Sequence, residues 1–71
     1  MRHLKKLSPF EIKIIEMICD GYSNTYIAER FGLHKTTIRN YVANILLTVS
    51  ARNRTELAMK YTRFIDKECS K

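Results

Sequence analysis

The chain has 71 residues, enough for one domain with a thin core that buries roughly 60% of the unfolded surface. Its 45% apolar and 28% charged content excludes a disordered chain; no run nears ~18 apolar residues and the N-terminus lacks the apolar core of a signal peptide, so a cytoplasmic protein with no membrane partner is expected. Thirteen Lys and Arg against seven Asp and Glu give +6 and a pI near 9.6, a balance that suits a polyanionic partner.

In chain order, a short basic lead-in (1–6) is expected to be frayed, with an all-α domain over 7–66 and a polar tail over 67–71, loose from Asp66 on. Ser8-Pro9-Phe10-Glu11 is a helix start, with Ser8 as cap, Pro9 in the first helical position and Glu11 closing a capping box. Ile14, Ile15 and Ile18, with Met17 beside them, give this helix its apolar face, and Asp20-Gly21 ends it. Ser23 caps a shorter second helix that turns Ile27, Ala28 and Phe31 inward; Gly32 stops it, and Leu33 is expected as a buried turn residue. A third helix runs from Lys35 to Val49, with Ile38, Val42, Ile45 and Val49 on one stripe that Tyr41 and Leu46 widen. Ser50 to Asn53 form a polar turn. Asn53 and Glu56 offer a second capping box, opening a fourth helix with Leu57, Ala58, Tyr61, Phe64 and Ile65 on one side.

Two helices joined by a short Gly-containing turn, the second polar opposite its apolar stripe, describe a helix-turn-helix. The polar side of the third helix offers Lys35, Thr36, Arg39, Asn40, Ala43 and Asn44. Those types suit base edges in a major groove: Arg pairs bidentately with guanine, Asn with adenine, and Thr or Ala touches a thymine methyl. A merely solvated helix face would mix signs, yet no acid occurs between Glu29 and Glu56 while Arg30, Lys35, Arg39, Arg52 and Arg54 all fall there.

Across Leu7 to Ala58 a set of short motifs follows in register: LSPFE at Leu7–Glu11, Gly21-Tyr22-Ser23-Asn24, Ile27-Ala28, Thr37-Ile38-Arg39-Asn40-Tyr41, and Arg54-Thr55-Glu56-Leu57-Ala58. Together they resemble the LuxR-type helix-turn-helix domain of bacterial transcription regulators, which opens Leu-Thr/Ser-Pro-Arg-Glu and carries Thr-Val-Lys/Arg-x-His in its recognition helix. The resemblance implies that Arg39 is the basic base-contacting residue, with Asn40 and Ala43 next along the groove. It puts Asn24, Thr37 and Arg54 near phosphates, and makes the fourth helix, with Ala58 and Tyr61, a homodimer surface. Double-stranded DNA is the implied partner; RNA polymerase would be a second one if the domain acts like region 4 of sigma factors. The departures are Phe10 for Arg, Tyr26 for Glu, His34 for a capping Ser, Tyr41 for His, and Thr48-Val49-Ser50-Ala51 for a Lys-Leu-Gly-Val turn.

Other classes fare worse. No Ser/His/Asp or Cys/His arrangement, metal-ligand spacing or phosphate-cradling glycine loop is present, so neither an enzyme nor a cofactor is expected. Cys19 reads as a small buried hydrophobe and Cys69 as a tail thiol in a reducing compartment. His34 reads as a solvent-exposed turn residue; of the four tyrosines, Tyr41 and Tyr61 read as core and Tyr22 and Tyr26 as exposed. The alternatives to DNA reading are a module that binds another regulator, and a promoter-recognition domain like region 4 of sigma factors. Met1 followed by a full lead-in favours a stand-alone protein over the output half of a longer regulator.

Overall fold

The computed structural model describes residues 7–69, with side chains to residue 64. Its four helices are α1 (Pro9–Cys19), α2 (Asn24–Phe31), α3 (Lys35–Val49) and α4 (Arg54–Cys69). The lead-in, the side chains of Ile65 and Cys69, and the last two residues of the expected tail lie outside the described residues.

Local chemistry sets most boundaries. At α1, the Ser8 hydroxyl accepts from the Glu11 amide at 3.2 Å and the Glu11 carboxylate accepts from the Ser8 amide at 2.8 Å, so both halves of the expected box form. Gly21 then takes φ 89° and lets Tyr22 turn back to donate to the Met17 carbonyl at 3.1 Å. Ser23 caps α2 through the Tyr26 amide at 3.2 Å. Tyr26 has no carboxylate to return the bond, so this cap has one half only.

Two expectations need correction here. The fourth helix does begin with Asn53 accepting from the Glu56 amide at 2.8 Å, but the Glu56 carboxylate reaches the Arg52 amide instead, also at 2.8 Å, and the Arg52 Nε at 3.3 Å. The box is shifted one residue upstream, because Arg52 adds a second donor that Asn53 lacks. That amide bond is also the chief reason the Glu56 carboxyl sits below the usual carboxylate range. The helix itself continues to Cys69 rather than loosening at Asp66; neither Gly nor Pro interrupts residues 65–69.

The core joins Ile14, Ile15 and Ile18 of α1, Ile27 and Ala28 of α2, Ile38, Val42, Ile45 and Val49 of α3, and Leu57 and Tyr61 of α4. The pairs α1 with α4 and α2 with α3 make the closest packing, and α3 also touches α1 and α4. Cys19 is half-buried beside this core, with its thiol 3.9 Å from the Ala58 carbonyl. Leu33 departs from expectation: it is 39% exposed. Its amide donates to the Ala28 carbonyl at 2.8 Å, so the turn is closed by its backbone and the side chain is left at the surface. Among the described residues no helix is long and apolar enough to cross a membrane.

Two departures from the family pattern prove to be partners. Phe10 meets Phe31 edge-on at 4.9 Å and Tyr41 edge-on at 5.2 Å. An aromatic wedge thus ties α1 to both helices of the helix-turn-helix, at a position where Arg would leave Tyr41 without a ring to pack on.

Candidate nucleic-acid interface

Burial of Ile38 and Ile45, each fully enclosed, contributes about 2 kcal/mol per side chain and fixes the azimuth of α3. Residues half a turn away are thereby forced outward. Lys35, Thr36, Arg39, Asn40, Ala43 and Asn44 are all exposed, and Thr37 sits half-buried on the flank. The face carries three amide- or guanidinium-bearing side chains, one ammonium, two small residues and no carboxylate.

The turn leading into α3 is short. Gly32 takes φ 69° to end α2, Leu33 follows, and His34 has N-cap geometry without any side-chain hydrogen bond. His34 is exposed, as expected from its place in the turn. The first-turn amides of α3 are left without a side-chain acceptor, so they are open to an outside oxygen.

Arg54 and Asn24, thirty residues apart, are brought together. The Arg54 guanidinium donates to Asn24 Oδ1 at 2.6 Å and to the Tyr22 carbonyl at 2.8 Å. This clamp fixes the first residue of α4 against the start of α2, and both side chains are half-buried. Beside it, Tyr22 and Tyr26 stack at 4.4 Å and an interplanar angle of 23°; they are 41% and 43% exposed, as the sequence suggests.

On α4 the two candidate self-contact residues part company. Tyr61 is only 8% exposed and its hydroxyl donates to Glu16 at 3.1 Å, because its position falls on the stripe led by Leu57. It belongs to the core, so its ring is not offered to a partner. Ala58 is half-buried, and the outward surface beside it is Met59, Thr62 and Arg63.

Two residues of consequence escape a reading by residue type. Lys60 donates to the Ser50 carbonyl at 2.9 Å and lies 3.5 Å from that of Val49, so a lysine on α4 holds the C-terminus of α3. Nothing in the sequence marks that pairing. Leu47 stands exposed on the same side of α3 as Asn40 and Ala43; its spacing of four from Ala43 is the signal that could have found it.

Comparison with known proteins settles the family. The description "Bacterial regulatory proteins, luxR family" matches residues 5–61. The chain belongs to the luxR family. It is similar to the transcriptional regulatory protein DegU of Brevibacillus brevis, 32% identical over 50 residues that make up 70% of this chain and 21% of that protein. It is also similar to the two-component response regulator PprB of Pseudomonas aeruginosa, 33% identical over 76% of this chain and 20% of that one. The transcriptional regulatory protein LnrK of Bacillus subtilis is 31% identical over 86% of this chain and 28% of its own length. The chain therefore spans a quarter or so of these relatives. As a luxR-family helix-turn-helix domain it is a regulatory domain and not an enzyme.

Proposed function

We propose that this luxR-family domain binds double-stranded DNA sequence-specifically and regulates transcription in the bacterial cytoplasm, with α3 as the recognition helix in the major groove. The observation that carries the reading is the exposed, carboxylate-free face of α3 (Lys35, Thr36, Arg39, Asn40, Ala43 and Asn44), presented by a luxR-family helix-turn-helix. The names of the relatives, all regulators, point the same way.

In this reading Arg39 reads a guanine, and Asn40 and Asn44 are the amide readers. The open first-turn amides of α3, together with Thr37, Asn24 and Arg54, face phosphates. The clamp with Asn24 and Tyr22 orients the Arg54 guanidinium while leaving donors over for a phosphate oxygen. Two copies associate through the outer face of α4 and place their α3 helices on half-sites one DNA turn apart, ~34 Å.

Binding sites selected from a random duplex library provide the test. Arg39→Ala is expected to lose ~1–3 kcal/mol on the selected site and far less on random duplex. For the wild type, log Kd should change with log salt by about 0.9 per phosphate neutralised. Equal losses from Arg39→Ala on selected and random duplexes would remove Arg39 as a base reader, and no duplex retarded at low salt would favour a module that binds another regulator.

A further inference from the structure

Leu47 is 79% exposed, the most open large apolar side chain among the described residues. A single exposed leucine on a solvated surface is ordinary. This one is placed unusually. It stands four residues after Ala43, which stands three after Asn40, which stands four after Thr36, so the four share one ridge of α3 opposite Ile38, Val42, Ile45 and Val49. The ridge runs polar, amide, methyl and then isobutyl, and it ends in the only large apolar group on the face.

We propose that Leu47 is a specificity-determining residue that packs on the C5-methyl group of a thymine at the far end of each half-site; this rests on α3 being the recognition helix. A leucine side chain has no donor or acceptor, so it cannot answer the amino, carbonyl or ring-nitrogen edges of the other bases. The thymine methyl is the apolar group that the major groove presents. Reach is adequate. The eleven residue-to-residue steps from Thr36 to Leu47 rise roughly 16 Å at ~1.5 Å each, which spans about five base-pair steps of ~3.4 Å. Thr36 and Leu47 would thus bracket one half-site, with Asn40 and Ala43 between them.

Deoxyuridine differs from thymidine only by that methyl. Each thymine of a selected duplex is replaced in turn by deoxyuridine, and Kd is measured by fluorescence anisotropy for the full chain and for Leu47→Ala, whose folding is checked by its melting curve. In the wild type, at least one replacement per half-site should weaken binding about fourfold, the worth of one buried methyl. In Leu47→Ala that same replacement should have no effect, while any thymine contacted by Ala43 stays sensitive. The proposal is overturned if no replacement weakens the wild type, or if every sensitive thymine is equally sensitive in Leu47→Ala. A wild-type chain that binds no duplex would overturn the DNA reading itself and this assignment with it; selective binding without the Leu47 dependence overturns only the assignment.

Discussion

His34 holds N-cap geometry, φ −75° and ψ 148°, yet offers no side-chain bond to the amides of the first turn of α3. At the other end Ser50 takes φ 59° and ψ 40°, left-handed values that cost an L-residue roughly 1 kcal/mol and glycine almost nothing. Both ends of α3 are therefore held less well than a capping Ser and a terminal Gly would hold them, and Lys60 partly compensates at the second by donating to the Ser50 carbonyl at 2.9 Å. His34→Ser should add ~1 kcal/mol of stability, and Ser50→Gly about 0.5–1 kcal/mol. The two sites are far apart, so the gains should add. Thermal unfolding checks this: each change should raise the midpoint by about 2–8 °C for a domain of this size. A midpoint unmoved by Ser50→Gly would mean that Lys60 already relieves the end of α3 fully.

At the scale of elements, the Arg54 clamp decides how α4 meets α2. Two charge-assisted hydrogen bonds, to Asn24 and to the Tyr22 carbonyl, link parts of the chain that no other polar contact among the described side chains joins. Bonds of that type each contribute about 1–2 kcal/mol when partly shielded. Arg54→Ala, which removes both, should cost ~2–4 kcal/mol in urea unfolding. Arg54→Lys should recover only part of it, since one ammonium cannot reproduce the planar fork that serves both acceptors. A contact with phosphate alone would predict weaker DNA binding with unchanged stability, so the unfolding measurement separates the two roles. The wedge of Phe10, Phe31 and Tyr41 works at the same scale: Phe10→Arg restores the family's usual residue but strands Tyr41, and a coupling energy between positions 10 and 41 is the expected result of a double-mutant cycle.

For the whole molecule, the bond from Tyr61 to Glu16 closes α4 onto α1 at 3.1 Å. Burial, reinforced by the hydrogen bond to Glu16 and its charge, pushes the Tyr61 phenol up to about 12. Unfolded tyrosine ionises near ~10. A raised folded value means that the contribution to stability is whole below ~10 and is lost as pH rises from there through about 12. Wild type should therefore lose on the order of 2 kcal/mol more than Tyr61→Phe across that window, read from urea unfolding at successive pH values. Equal slopes for the two proteins would show that the phenol is hydrated in the folded state. Assembly belongs to this scale as well. In the proposed homodimer Met59, 53% exposed on the outer face of α4, would serve as an anchor. Met59→Lys should yield a monomer in sedimentation on a duplex that holds two wild-type copies.

Four helices, their caps and the identity of the exposed α3 face were legible in the sequence because each rests on residues within a turn or two of one another. Ser8 with Glu11, Gly32 after Phe31, and the spacing of Ile38, Val42, Ile45 and Val49 are local signals, and they determine local structure. Tertiary structure alone decided the pairings of distant residues: Arg54 with Asn24, Lys60 with the end of α3, Phe10 with Tyr41, and Tyr61 with Glu16. It also decided that Leu33 faces out, since a residue beside an apolar stripe serves either a core or a surface until a neighbouring helix covers it. The physical reason is that side-chain periodicity specifies which face a residue occupies, whereas the packing of helices against one another specifies which faces meet.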